Sequence, residues 1–389
     1  MVSGEFVFHP VGQGLFYSGH ILSESGRFTF VFDCGGEPTE CVSIAVREYA
    51  LKNDCLDLLF VSHFHEDHVN GLMDLTNATP PKMVVMPYVD AITRFVIAMG
   101  AKSTDSRYYE FLSDPIGFFQ TIQNCTVYVL GSRGPSESRE PDQSNEPLNE
   151  TALLADPELA DKVESEEGRK YESNVRYVKG EGRISQLGWE FGVFNRPVDR
   201  SRLTAFREKL SRQGLVDRPT IKEAIRDKGR REQIRSCYGE LYADLNAGSL
   251  VVCHGPHTCR PSESELLIFI KYYVAMGVRG LHAPDITPPF TLLTGDLGLR
   301  DTLTDMTSTF FRYLDKIGLV LLPHHGAARS WDARAISVFR RTRLWVASYG
   351  CHNRYRHPGE RVLWEISREA PESLFLGCNE RCAVSYRVT

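Results

Sequence analysis

Seven consecutive residues, Ser62-His63-Phe64-His65-Glu66-Asp67-His68, carry four side chains that can bind a cation: His63, His65, Asp67 and His68. They directly follow an apolar run, Leu56-Asp-Leu-Leu-Phe-Val61, that reads as a buried strand. On an extended turn, imidazoles two positions apart converge on one point, while Asp67 and His68 just beyond face a second point nearby. A nitrogen and oxygen donor set of this kind suits zinc, and manganese or iron less exclusively. The following Gly71 agrees with a tight turn out of the strand.

The elements that must hold these residues are short and regular. Glu5–His9 and Phe28–Phe32 are strand-like runs bounded by glycines, the second ending in Asp33-Cys-Gly-Gly36. Val42, Ala45, Val46 and Tyr49 recur at helical spacing, Met83–Met86 and Thr126–Leu130 read as further strands, and Tyr108–Ile122 reads as helical. Later, Ser249–Val252, Phe290–Leu293, Leu319–Leu322 and Leu344–Ala347 are four apolar strands, each running into a polar tip. Polar residues gathered at strand tips point to one shared site at one sheet edge. Strands alternating with helices give an α/β sandwich.

The His-x-His-x-Asp-His string resembles the signature of the metallo-β-lactamase superfamily. That resemblance implies an αββα sandwich and two neighbouring divalent ions, zinc or manganese. It also implies an Asp near the ions after an early strand, matched by Asp33, and a metal-bridging Asp after a later one, matched by Asp296 in Leu292-Leu-Thr-Gly-Asp296. A final His ligand is matched in Pro323-His324-His325-Gly326, with His324 taken as the ligand and His325 left as its alternative or as a supporting partner. Within the superfamily the chain is similar to the branch containing the nuclease domain of ComEC-type DNA-uptake proteins. Gln13 in Gly12-Gln-Gly14, Asn246-Ala-Gly-Ser249-Leu-Val, and Asn353-x-Tyr355-x-His357-Pro358 carry that likeness. Asn246 stands where other members carry a third-motif His. His254 and His257, just past the next strand, are alternative ligands.

Composition sets outer bounds. At 389 residues the chain allows two or three domains of ~150 residues, or one large decorated one. The motif order favours one, with residues 1–131 and 246–389 as its halves and 132–245 as an insertion. A hydrophobic share of 42% with 24% charged residues excludes wholesale disorder and coiled-coil architecture. The longest nearly apolar stretch, Leu266–Val278, is broken by Lys271 and falls short of the ~20 residues of a spanning helix, so no membrane is expected. The start, Met1–Phe6, lacks a basic segment followed by an apolar run, and ten cysteines are too few for a disulfide scaffold, so the expected location is cytoplasmic. The net charge of −5 hides a polarity inside the insertion. Residues 135–168 hold eleven acidic side chains against two basic, and 200–235 hold twelve basic against five acidic. The acidic stretch reads as a loop, and the basic one as helical.

The expected activity is metal-dependent phosphodiester hydrolysis by a metal-activated hydroxide. DNA is the expected substrate, and a bacterial anti-phage defence system is the setting that the resemblance suggests. Asp67 would orient the attacking water, and His357 would contact the scissile phosphate or protonate the leaving oxygen. Arg354 and Arg356 would bind phosphate, while Gln13 and Asp33 would shape the site. The basic block would line a nucleic-acid path or pair with the acidic stretch, and the insertion would offer a surface to a regulatory protein partner. Alternatives are a small-molecule hydrolase on the same fold, such as a cyclic-nucleotide phosphodiesterase or a lactonase, and a non-catalytic module stabilised by metal.

Overall fold

The computed structural model describes residues 2–132, 152–196, 218–237, 249–257, 266–272, 277–282 and 288–389. A ten-stranded sheet has the order β12-β11-β17-β1-β2-β3-β4-β5-β6-β7. Its strands are β1 (Ser3–Phe8), β2 (Phe16–Ser23), β3 (Gly26–Cys34), β4 (Leu56–Phe60), β5 (Pro81–Pro87), β6 (Thr126–Leu130), β7 (Val175–Val178), β11 (Leu266–Tyr272), β12 (Gly277–His282) and β17 (Cys382–Val388). A seven-stranded sheet runs β16-β15-β14-β13-β10-β9-β8. It contains β8 (Glu181–Gln186), β9 (Trp189–Asn195), β10 (Leu250–Pro256), β13 (Phe290–Leu293), β14 (Ile317–Leu321), β15 (Leu344–Ser348) and β16 (Leu374–Cys378). In the larger sheet β3 to β7 are mutually parallel, and in the smaller one β13 to β16 are. Parallel neighbours place all their C-terminal ends at one edge.

The period-two alternation of strands sorts apolar side chains into layers. On β4, Leu58 and Phe60 face the layer between the sheets, whereas Leu59 between them joins the core on the outer face. Likewise on β14, Leu319 and Leu321 enter the inter-sheet layer, and Ile317 and Val320 face the other way. Helices cover both outer faces. The larger sheet carries α1 (Thr39–Ala50), α2 (Glu66–Val69), α3 (Leu72–Ala78), α4 (Ala91–Gly100), α5 (Ser106–Ser113), α6 (Pro115–Gln120), α7 (Pro157–Glu167), α8 (Arg218–Arg226) and α9 (Lys228–Cys237). On the smaller sheet lie α10 (Leu299–Thr309), α11 (Arg334–Val338) and α12 (Glu360–Glu369). This is the expected αββα sandwich. No helix among the described residues is long and apolar enough to cross a membrane.

The block 132–245 is not wholly outside this core. Val175–Val178 extends the parallel run of the larger sheet, and the fully buried Trp189–Asn195 pairs with β10 in the smaller one. The core therefore continues through this block, because β9 buries both of its faces. Helix α7 also falls where a loop was expected. Its acid-rich composition masks a narrow buried stripe of Leu159, Val163 and Glu167. Asp156 caps it by accepting from Leu159 N, and Gly168 ends it in the left-handed region at φ 64°. Residues 133–151, which include part of the acidic stretch, residues 197–217, which include the first part of the expected helical segment, and residues 238–248 lie outside the described residues. Residues 258–288, unassigned by resemblance, supply β11 and β12 beside β17.

The charged block splits on inspection of its partners. Lys222 pairs with Glu167 at 2.9 Å, Arg226 donates to Ser113 Oγ at 2.9 Å, and Arg231 lies 3.5 Å over the Tyr109 ring. Part of its basic charge thus fastens α8 and α9 to the acidic helix and to α5. At the centre, the guanidinium of Arg94 is buried against Glu167 and also donates to the Leu112 and Ser113 carbonyls. Removing one partner of a buried pair strands the other charge. Arg94→Ala is expected to lower the unfolding free energy by roughly 3–5 kcal/mol, read by urea denaturation of the metal-stripped chain.

Candidate metal centre

Five strand tips converge. β3 delivers Asp33, the turn after β4 delivers Ser62 to His68, and the turn after β13 delivers Thr294 to Asp296. The turn after β14 delivers His324 and His325, and the loop after β15 carries Asn353 and His357. Asp33 adopts φ 57°, outside the strand region, so its side chain folds back under the tips. There its Oδ1 accepts from Ser62 N at 2.6 Å, and its Oδ2 accepts from Ser62 Oγ at 2.5 Å and from His68 Nδ1 at 2.8 Å. With Nδ1 donating, His68 turns Nε2 inward to 3.3 Å from Asp296 Oδ1. Gly35 permits this closeness, since a Cβ there would lie 2.5 Å from the His68 carbonyl carbon.

Two neighbouring donor groups result, and a third, Asp33, His63 and His68, shares one histidine with each. His63, His65 and Asp296 form one, and Asp67, His68 and His325 form the other, with the donor atoms of each group within 4.8 Å of one another. Asp296 lies between them, its Oδ2 3.6 Å from His63 Nε2 and its Oδ1 facing His68 and His325. The residues fit cations on two counts. First, the buried Nε2 atoms of His63 and His68 have no aligned hydrogen-bond partner. Second, the charges do not balance among neutral rings. Burial pushes His65 down to about 3, assisted by His63, and pushes His324 down to about 4 against the pull of Asp296. Burial acts on His68 in the same direction, but Asp296, Asp33 and Asp67 outweigh it and hold this ring protonated. Burial would raise Asp67 and Asp296, yet the surrounding imidazoles depress both carboxyls. The carboxylates therefore demand positive charge, and a divalent ion that takes the lone pair of His68 would displace its proton.

The structure reverses the expected order within His324-His325. His325 Nδ1 donates to Ser348 O at 2.8 Å, and its Nε2 faces the site, hydrogen-bonded to Asp67 Oδ2 at 3.2 Å and 3.9 Å from Asp296 Oδ1. His324 sits further out, with Nδ1 3.6 Å from Asp296 Oδ2 and Nε2 3.1 Å from an Arg329 Nη2. His325 is the better-placed ligand. The cause is backbone geometry: His324, His325 and Gly326 all lie at positive φ, 49°, 58° and 81°. This tight turn swings the second ring inward.

The remaining expected residues fall in distinct places. His357 stands beside both histidines, with centroids 5.6 Å from His324 and 6.1 Å from His325, and Asn353 fixes its backbone at N and O. Burial and those two imidazoles push His357 down to about 4. Arg354 and Arg356 are exposed on the loop that carries His357, Arg354 bonding Tyr355 Oη at 2.7 Å. Gln13 is a strut whose Oε1 accepts from Gly350 N at 3.2 Å, tying the β15 loop to the N-terminal turn. His254 is fully buried between the sheets, held by Tyr17 Oη and Trp189 Nε1, and His257 pairs with Glu190, so neither joins the donor groups. Asn246 lies outside the described residues. Sequence reasoning named Ser62 and Tyr355 within motifs without giving them a role, and passed over Arg329.

The sequence matches no family model and no curated protein. Among solved structures the chain is similar to the metallo-β-lactamase fold protein YhfI from Bacillus subtilis, at 9% identity over 98% of this chain and 99% of that one, TM-score 0.39. It is also similar to a diphosphatase from the PhnP family, at 10% identity over 100% and 99%, TM-score 0.35. A third is the long form RNase Z from yeast, at 10% identity over 82% of this chain and 32% of that one, TM-score 0.30. Likeness at this level assigns no activity. The sandwich rests on its own two sheets.

His325→Ala is expected to lose one of two bound ions per chain by elemental analysis, whereas His324→Ala keeps both. Asp33→Asn, which weakens the support of His68, is expected to lower metal affinity about 10- to 100-fold in titration of the stripped protein.

Proposed function

We propose that this chain is a metal-dependent phosphodiester hydrolase of metallo-β-lactamase type, with DNA as its substrate. The observation that carries the reading is Asp296 lying between two His and Asp donor groups, with Arg329 against His324 and the exposed Arg354 and Arg356 on the loop that carries His357. His63, His65 and Asp296 would hold one divalent ion, zinc or manganese, and Asp67, His68 and His325 the other. Such ions lower the pKa of water from 15.7 towards ~7 and neutralise charge on a phosphoryl oxygen.

The chain's own residues then divide the remaining work. Asp67, 25% exposed and the most open of the carboxylates in the two donor groups, accepts a hydrogen bond from the attacking water and orients it. The water releases its proton to solvent; as its oxygen bonds to phosphorus, the P–O ester bond breaks and the departing oxygen takes a proton from solvent water. His357, neutral at pH 7, is suited to contacting the scissile phosphate rather than supplying that proton. Arg329, Arg354 and Arg356 would pair with phosphate oxygens. Tyr355, 54% exposed with Arg354 stacked 4.9 Å from its ring, offers a surface for an unpaired base. It favours a nucleic acid over a small diester. The basic helices support that path less than their charge suggests, since Lys222, Arg226 and Arg231 are engaged within the fold.

An anti-phage setting and a regulatory protein on the 132–245 segment complete the proposal. The first would be read by phage plating, and the second by protein capture with the natural chain and with one whose acidic side chains within residues 133–151 are neutralised. The central test compares plasmid DNA, RNA, a cyclic nucleotide and a nitrophenyl phosphodiester with manganese or zinc. Asp67→Ala and Asp296→Ala are each expected to lose at least roughly 100-fold of DNA cleavage. Retained cleavage in both variants would sink the mechanism. Turnover of the small diester with DNA left intact would transfer the activity to the small-molecule class. Tyr355→Ala is expected to raise KM for single-stranded DNA and leave the small diester unchanged, checked by steady-state kinetics.

A further inference from the structure

The carbonyl of Phe64, the residue between His63 and His65, is buried and accepts from the hydroxyl of Tyr108 at 2.9 Å. Tyr108 has no solvent exposure and belongs to α5, a helix that contributes no donor to the metal centre. The Phe64 ring also rests edge-on against Phe111 of α5, with centroids 5.4 Å apart at 78°. The helix is itself held from two sides. Arg107 pairs with Asp74 of α3 at 2.8 Å, and Arg226 of α8 donates to Ser113 at its C-terminal end. A side chain anchored this firmly fixes the plane of the 64–65 peptide. That plane sets the angle between the His63 and His65 rings, whose centroids stand 4.9 Å apart.

From this geometry we infer that Tyr108 is a positioning residue for the His63 and His65 pair, its hydroxyl holding the intervening peptide in the orientation that makes the two imidazoles converge on one cation. The inference rests on the reading that these two histidines hold a metal. A polar group one bond removed from a ligand tunes affinity by restricting the ligand's orientation, and loss of such support typically costs about 10- to 100-fold in binding. Tyr109 provides an internal control. It is the next residue on the same helix, is also buried, and directs its hydroxyl to the Ser103 carbonyl instead, at 3.1 Å.

The experiment titrates the full-length, metal-stripped chain with cobalt(II), following the visible absorption that reports ligand geometry. Tyr108→Phe is expected to weaken the site containing His63 and His65 about 10- to 100-fold and to alter its spectrum. Tyr109→Phe should leave both as in the unmodified chain. Circular dichroism and melting in chelator establish that each variant is folded before the comparison. If Tyr108→Phe does not fold, 3-fluorotyrosine at position 108, a stronger donor of nearly the same shape, is expected to tighten binding at that site. Cobalt binding and spectra unchanged by Tyr108→Phe, or shifted equally by Tyr109→Phe, overturn the positioning role, as does a 3-fluorotyrosine chain that binds no tighter. His65→Ala keeps the two readings apart. If it leaves cobalt binding unchanged, the metal assignment itself fails; if it abolishes that site while Tyr108→Phe does nothing, only the positioning role fails.

Discussion

Asp33 brings a carboxylate with no solvent exposure to the junction of β3, the β4 turn and α2, where two Ser62 donors and one His68 donor meet it. A carboxyl group so far from water is tolerable only when its oxygens are met by well-placed hydrogen-bond partners. The demand works in reverse on the surrounding chain. Ser62 must end β4 where its N–H and hydroxyl both reach Asp33, and its own carbonyl then accepts from Leu250 N at 2.8 Å. That last bond crosses from one sheet to the other. The orientation of His68, the path of the turn and the meeting of the two sheets therefore follow from one desolvated carboxylate.

Opposite it, the Pro323–Gly326 turn stores backbone strain where the site can use it. His324 and His325 occupy the left-handed region, which for residues with a Cβ costs on the order of 1–2 kcal/mol each. The turn is held by His324 N donating to Gly295 O at 3.0 Å and Ala327 N donating to His324 O at 2.9 Å. Two turns that each carry a donor are thus bonded to each other through their backbones. Their spacing is set before any ion is considered, as preorganised sites require.

Much of this was legible in the sequence for a physical reason. His63, His65, Asp67 and His68 are local in the chain, so a strand followed by a turn suffices to bring them together, and the apolar run Leu56–Val61 announces that strand. Asp296 was equally readable, at the tip of an apolar run. The choice between His324 and His325 was not, because it depends on positive φ at two non-glycine residues, which residue identity does not announce. His254 misled for the opposite reason: a histidine close to a motif in sequence lies on β10 with its ring turned into the inter-sheet layer. Helix α7 was hidden by composition, since three buried positions suffice to dock it. Tyr108 carries no sequence signal, as its partner is a backbone carbonyl 44 residues away.

The polar cluster in the middle of the sandwich has a role at a distance. Tyr17 bonds both His254 and Tyr386, and Thr291 bonds Tyr386, linking β2 and β17 of one sheet to β10 and β13 of the other. Apolar layers tolerate sliding because dispersion has little directionality, but hydrogen bonds in such a layer do not. A slip of one residue along a strand displaces its tip by about 3.3 Å, nearly the whole separation between His63 Nε2 and Asp296 Oδ2. This interior latch thus serves as a ruler for the rim: it calibrates how far each half of the sandwich extends, and the chemistry at the edge inherits its tolerance from a histidine that never sees a substrate.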